Sequence, residues 1–365
     1  MNSFIPPLNS QAFENILMGV PGRESDFFAD HISGKRKSPI SIYISATSSC
    51  MYNCWHCSAD KRNSGNDMDT PDLIRLIKQI QDMGVGIIGF TGGEPLLRGD
   101  LEAVIKSIDE RSVSFVFSTG YGLTYEKAKQ LKTAGLFGIA ISIDSVDAAE
   151  HDAKRGYSGA FKAAVDAIEN AKKAGLYTMS QTVCTRELLK GEGLFRLAQF
   201  LKALKVDEMR MIEPLPCGKL DSKEDVLLQE SENKKLIEFH IKCNRNRHLP
   251  KASVFSYFES NEQFGCGAGV QHSYIDHRGN LYPCDFVPVS FGNVFETPVD
   301  ALWLKMHQQM GVPRGYCFSK VHLNTLLRDG KGSYPIPAES LPQACCKGQS
   351  VKLPGFYRTL RGEKL

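Results

Sequence analysis

Six short β-prone runs alternate with helical stretches between Ser41 and Glu213, and few folds accommodate that order. The first run is Ser41-Ile42-Tyr43-Ile44-Ser45-Ala46 and the second Gly86-Ile87-Ile88-Gly89-Phe90. The others fall at 113–118, 138–143, 176–184 and 207–213. Helical spacing fills the gaps, at 70–84, 100–110, 124–134, 159–174 and 187–204. In the first of these, Thr70-Pro71 supplies a cap and a first-turn proline, Leu73, Ile74, Ile77 and Ile80 share one face, and Gly84 ends the helix. Strands joined by helices pair in parallel, with the helices outside. Six units fall short of the eight that close a barrel. The expected fold is therefore α/β, a partial (β/α)6 TIM-like barrel with its chemistry at the C-terminal ends of the strands.

The alternation is expected to stop near residue 219. Residues 1–39 read as an N-terminal extension, 40–218 as the core and 219–262 as a polar, helical linker. Residues 263–365, rich in Gly, Pro and Cys, read as a small cysteine-rich α+β module with a tail. Lys+Arg 44 against Asp+Glu 41 leaves a net charge of only +3, which argues against a chain devoted to nucleic acid. No apolar run reaches the roughly 18 residues of a membrane span. Residues 1–30 lack the basic start and apolar stretch of a secretory signal. The expected location is the cytoplasm, where 11 Cys are more readily metal ligands or buried thiols than disulfides.

Three of those cysteines follow the first strand directly, as Cys50-Met51-Tyr52-Asn53-Cys54-Trp55-His56-Cys57. The C-x3-C-x2-C spacing puts three thiols on one tight loop at a strand's C-terminal end. A cubane iron–sulfur cluster takes four Cys, so three leave one iron open to a ligand. The competing reading is a structural zinc loop, with His56 as the fourth ligand.

The loop resembles the cluster motif of radical S-adenosylmethionine (SAM) enzymes, and the resemblance covers roughly residues 40–215. Phe90-Thr91-Gly92-Gly93-Glu94-Pro95 is similar to that family's second landmark. The resemblance implies that the Gly92, Gly93, Glu94 and Pro95 stretch binds the SAM amino group through backbone and carboxylate, as glycines admit a close ligand and a carboxylate pairs an ammonium. Phe117-Ser118-Thr119-Gly120 stands where the family often has Ser-Thr-Asn-Gly, but lacks the Asn. Ser118 and Ser142 become candidates for the ribose or carboxylate. Asp144 closes the family-like Ser-hydrophobic-Asp element. Arg155, in His151-Asp152-Ala153-Lys154-Arg155-Gly156, is a candidate for the SAM carboxylate, a structural salt bridge being the alternative. Met211–Gly218 becomes a pocket wall.

Cys266, Gly279 and Cys284 show a C-x12-G-x4-C spacing that resembles the opening of SPASM and twitch modules. Arg278-Gly279-Asn280 reads as the turn of a hairpin that brings the flanking cysteines together. A full SPASM module has a denser cysteine set than the remaining Cys317, Cys345 and Cys346. The resemblance thus implies one auxiliary [4Fe–4S] cluster held by Cys266, Cys284, Cys317 and one of the adjacent pair, with Cys346 favoured over Cys345. His272 reads as a surface hairpin histidine, with replacement ligation as the alternative; a zinc ribbon is the alternative for the whole module. Cys184, Cys217 and Cys243 read as buried or pocket thiols, with Cys217 nearest the pocket and so the candidate hydrogen-atom donor.

The resemblance implies an enzyme that reductively cleaves SAM to a 5′-deoxyadenosyl radical and abstracts hydrogen from a substrate. The cofactors are a SAM-binding [4Fe–4S] cluster, SAM and the auxiliary cluster. The implied partners are a small-molecule or peptide substrate and an electron donor such as flavodoxin or ferredoxin. A small biosynthetic intermediate is the favoured substrate, ribosomal-peptide maturation the second reading, and a non-catalytic iron–sulfur or zinc protein the third.

Overall fold

The strands form where the β-prone runs fall: β1 Ser41–Thr47, β2 Ile87–Gly92, β3 Val113–Ser118, β4 Gly138–Ser142, β5 Tyr177–Val183 and β6 Glu208–Ile212. The structure, a computed structural model, describes residues 4–33, 35–60, 65–329, 334–341 and 352–363. Between the strands lie α1 Thr70–Met83, α2 Leu101–Lys106, α3 Tyr125–Thr133, α4 Ala148–Arg155, α5 Ala160–Lys173 and α6 Gly193–Ala203. Capping explains the bounds. The Asp69 side chain accepts from Asp72 N to start α1, Pro71 sits in its first turn, and Gly84 at φ 96° ends it.

The alternation runs one unit further than the sequence suggests. Within the expected helical linker, α7 Glu230–Arg245 is followed by β7 Lys251–Val254, parallel to β6. That strand has only four residues and opens on a lysine, too short to register as a period. The C-terminal module then adds a hairpin, β8 His272–Ile275 and β9 Leu281–Tyr282. Asp276 sets its turn: one carboxylate oxygen accepts from Arg278 N and Asn280 N, the other from Asn280 Nδ2 and Tyr282 Oη.

These strands make one sheet in the order β9-β8-β1-β2-β3-β4-β5-β6-β7, parallel throughout except at the hairpin. β8 pairs with β1 from His272–Ser41 to Ile275–Ile44, so the module's first strand extends the barrel wall. Ile42, Ile44, Ile88, Phe90, Val116, Ile139, Ile141, Met209 and Met211 are buried in the main hydrophobic core. The alternate positions face the lumen, as the two-residue period requires. There Ile87, Phe115, Ala140 and Met179 form a second buried cluster packed by Tyr43 and Phe117.

The N-terminal extension carries helices Gln11–Met18 and Phe27–Ser33 and is fastened to the C-terminal module. Buried Arg36 donates through Nη2 to Ile16 O (2.6 Å) and through its backbone N to His307 Nε2 (2.8 Å), and its carbonyl accepts from Trp303 Nε1 (3.0 Å). Both partners of the last two bonds sit on helix Val299–Met310. No helix among the described residues is long and apolar enough to cross a membrane.

Candidate active site

The cysteine loop leaves β1 and is held from three sides. Asn53 N donates to Arg155 O (3.1 Å) and Trp55 N to Lys154 O (3.2 Å), which docks the loop on the last turn of α4. Gly156 follows at φ +60°, and a Cβ there would lie 2.5 Å from Asn53 O, so the close approach requires glycine. On the second side, Gly93 N donates to Thr47 O and Glu94 N to Ser49 O, both at 2.8 Å. A Cβ on Gly93 would meet Ser49 O at 2.1 Å. On the third, Lys219 N donates to Cys57 O (3.0 Å).

Cys50 is exposed, and Cys54 and Cys57 are half-buried. Burial pushes the Cys50 thiol up to about 11 and raises Cys57 as well. Three sulfurs on one loop fit a cubane with one iron left open. Among the described residues, the buried polar atoms on the cavity wall that have no hydrogen-bond partner include His56 Nδ1 and Gln181 Oε1. Such atoms fit a polar ligand lying between the loop and the lumen. Burial drives the His56 pKa down to about 4, so its imidazole is neutral, and among the described residues no group of three or more close-set ligating side chains includes it.

Glu94 is completely buried. Its Oε1 accepts from Leu96 N (3.1 Å) and Ser118 Oγ (2.7 Å); its Oε2 accepts from Thr119 N (2.7 Å) and Oγ1 (2.6 Å). Burial pushes its carboxyl pKa up, against the pull of those donors. Of the expected SAM contacts, Gly92, Gly93, Ser118, Ser142 and Arg155 line the cavity, whereas Glu94, Pro95 and Asp144 stand behind its wall. Asp144 instead accepts from Val183 N (3.0 Å) and pairs with Arg155 Nη2 (2.7 Å).

One cavity of about 780 Å³ runs from Cys50, Cys54 and Cys57 to Cys266, Cys284 and Cys317. Cys266 is buried beside Cys317, whose thiol hydrogen bond pulls its pKa down to about 6. Cys345 and Cys346 lie outside the described residues. His272 is not the expected surface residue. It lines the cavity, bonded to Ser41 Oγ (2.8 Å) and Asp285 (3.0 Å), with its ring nitrogen close to Cys284. Its position follows from β8 joining the barrel, a long-range pairing. Cys184 and Cys243 are buried as expected, and Cys217 both lies buried and lines the cavity.

The sequence reading also missed the lumen polar groups. Arg210 is buried on β6, with its guanidinium about 5 Å from the rings of Phe4, Phe117 and Phe255 and 3.4 Å from Tyr43 Oη. Glu213 and Glu259 line the cavity nearer the second cysteine set, and Lys320 pairs with Glu213. A signal existed for Arg210: Glu208-Met209-Arg210-Met211 sets charges at alternate positions of an apolar strand, which aims both at the lumen.

An open parallel barrel with a thiol loop at its mouth and a second thiol set facing it defines an iron–sulfur enzyme with two cluster sites. The Radical SAM superfamily pattern matches residues 44–193, and that of SPASM, an iron–sulfur cluster-binding domain, matches 266–323. An AdoMet-dependent heme synthase of Nitratidesulfovibrio vulgaris is 28% identical over 285 residues, 71% of this chain and 77% of its own. A GTP 3′,8-cyclase of Campylobacter jejuni is 30% identical over 266 residues, covering 67% of this chain and 79% of its own. Streptococcus suis SuiB bound to its precursor peptide SuiA has a similar fold, with TM-score 0.63 and 17% identity. That likeness covers 76% of this chain and 66% of SuiB. The chain belongs to the radical SAM superfamily and carries a C-terminal SPASM module. It is an enzyme whose cofactors are SAM and [4Fe–4S] clusters.

Proposed function

We propose that this enzyme acts on a small biosynthetic intermediate held in the cavity between the two cysteine sets. The carrying observation is that single cavity of about 780 Å³, within the range of small-molecule sites and reached by both sets. Cys50, Cys54 and Cys57 hold the cluster with the open iron; Cys266, Cys284, Cys317 and Cys346 hold the auxiliary cluster. When bound, the open cluster supplies the electron that cleaves SAM to methionine and the 5′-deoxyadenosyl radical, which abstracts hydrogen from the substrate.

The chain's own residues bind, orient and exclude water. With SAM bound, the Gly92–Gly93 backbone and Ser118 would hold the methionyl part, and Ser142 and Gln181 would serve the ribose. Glu94, Pro95 and Asp144 act from behind the wall, holding those groups in place. Phe4, Phe117 and Phe255 dry the floor around the buried Arg210 guanidinium. This supports a substrate with an apolar body. On the same reading the core spans 40–218 and the module 263–365, and residues 219–262 between them add a last helix and strand to the barrel sheet. A flavodoxin or ferredoxin in the cytoplasm would serve as the electron donor.

The fold likeness to SuiB with its bound peptide favours a second reading, a peptide substrate. The two separate in one experiment. Reconstituted enzyme, SAM and reductant are incubated anaerobically with a cell extract divided into an ultrafiltrate and a peptide fraction. Substrate-dependent 5′-deoxyadenosine in the ultrafiltrate is expected. A response confined to the peptide fraction would overturn the small-molecule reading.

A further inference from the structure

At the cavity wall, the Arg155 guanidinium reaches a cysteine of the loop. Arg155 is the last residue of α4, its side chain is 7% exposed, and its Nη1 lies 3.9 Å from Cys54 Sγ. Its Nη2 is held at 2.7 Å by Asp144, itself 1% exposed. Asp144 cannot turn away easily, because its other oxygen accepts from Val183 N on β5 and its own N–H is bonded to His151 Nδ1. The α4 terminus is fixed to the cysteine loop by the Asn53 and Trp55 backbone bonds. Loop, cation and carboxylate therefore form one rigid row: Cys54 sulfur, guanidinium, carboxylate.

We propose that Arg155 sets the reduction potential of the cluster held by the Cys50–Cys54–Cys57 loop, with Asp144 as its counterweight. The inference rests on that loop's being the cluster site. Reduction adds one negative charge to a cluster whose charge is shared with its thiolates. A buried cation beside one thiolate stabilises the reduced form and raises the potential, as net charge and hydrogen bonds to sulfur do generally. The Asp144 carboxylate lies on the far side of the guanidinium, so it attenuates this field without cancelling it. Arg155 is thus a positioning and poising residue. Its contact with sulfur distinguishes this role from a plain structural ion pair.

The row makes opposite demands on its two members. Arg155→Met removes the cation and lowers the potential. Asp144→Asn keeps the shape, frees the guanidinium from its counter-charge and raises the potential. Arg155→Lys restores the charge and returns the value toward that of the wild type. A purely structural pair would instead move both deletions the same way, through loosened packing.

The test is EPR-monitored redox titration of the reconstituted full-length enzyme, following the signal that changes when SAM is added. Expected are a more negative midpoint in Arg155→Met than in wild type, a less negative one in Asp144→Asn, and a value in Arg155→Lys closer to wild type than that of Arg155→Met. Should Arg155→Met take up no iron, the sign of the Asp144→Asn shift decides alone. Unchanged midpoints, or shifts of the same sign in the two deletions, overturn the proposal while the cluster site stands. Absence of any SAM-sensitive signal in the wild type overturns the cluster site, and the proposal with it.

Discussion

The Glu94 carboxylate grips Thr119 twice, at 2.7 Å from its backbone N and 2.6 Å from its hydroxyl, and so ties the end of β2 to the end of β3. With Leu96 N and Ser118 Oγ on the other oxygen, all four of its acceptor positions are in use. A charged ligand seeking this carboxylate must displace a protein donor. We propose that Glu94 serves SAM through these bonds, by holding the Gly92–Gly93 backbone in place.

Glu94→Gln puts an NH2 where one oxygen accepted a backbone N–H and a hydroxyl; the hydroxyl can turn to accept, but the backbone N–H of Leu96 or Thr119 is left facing a donor. Each buried group left unsatisfied costs about 1–3 kcal/mol, so the melting temperature should fall together with a roughly tenfold or greater loss of SAM affinity. Calorimetric melting and equilibrium SAM binding check it. Weaker SAM binding at unchanged stability would instead place the carboxylate on the ligand.

Gly93→Ala forces a methyl against Ser49 O, one residue before Cys50. Backbone overpacking of this kind costs about 1–3 kcal/mol. Anaerobic iron analysis should find the first cluster depleted and the auxiliary one kept, a loss of about half the iron if each holds four.

Replacing Cys50, Cys54 and Cys57 together by Ala should leave about four irons and four sulfides in the module, since a [4Fe–4S] cluster holds four of each. That protein should not cleave SAM. Zinc in this variant, or no metal, would refute the auxiliary cluster.

Burial drives His240 and His307 down from 6.5 to about 4. Between those values the unfolded chain binds their protons and the folded chain does not. Stability is therefore fully present above about pH 6.5 and lost as pH falls toward 4. Each histidine contributes a slope of about 1.4 kcal/mol per pH unit. Denaturant midpoints at pH 7.5, 6 and 5 should decline in that order, and His307→Gln should flatten the decline.

What could be read from the chain was local. Ile42, Ile44, Ile88 and Val116 announce buried strands through alternation and β-branching, and the cysteine loop is legible because its three thiols lie within eight residues. Lys251–Val254 was missed because four residues with one charge carry no period. The meeting of Cys266, Cys284 and Cys317 with that loop depends on β8 joining β1, a pairing across some 230 residues that no short-range pattern encodes. Arg210 and His272 show their types in the sequence, but which way they face is fixed only when the barrel curls.

The most direct test is SAM cleavage by the anaerobically reconstituted protein, with 5′-deoxyadenosine measured by chromatography after addition of reductant. The wild type should form it, and the Cys54→Ala protein should form none while keeping its auxiliary iron. Equal 5′-deoxyadenosine from the two proteins would contradict the assignment of the cysteine loop as the seat of the chemistry.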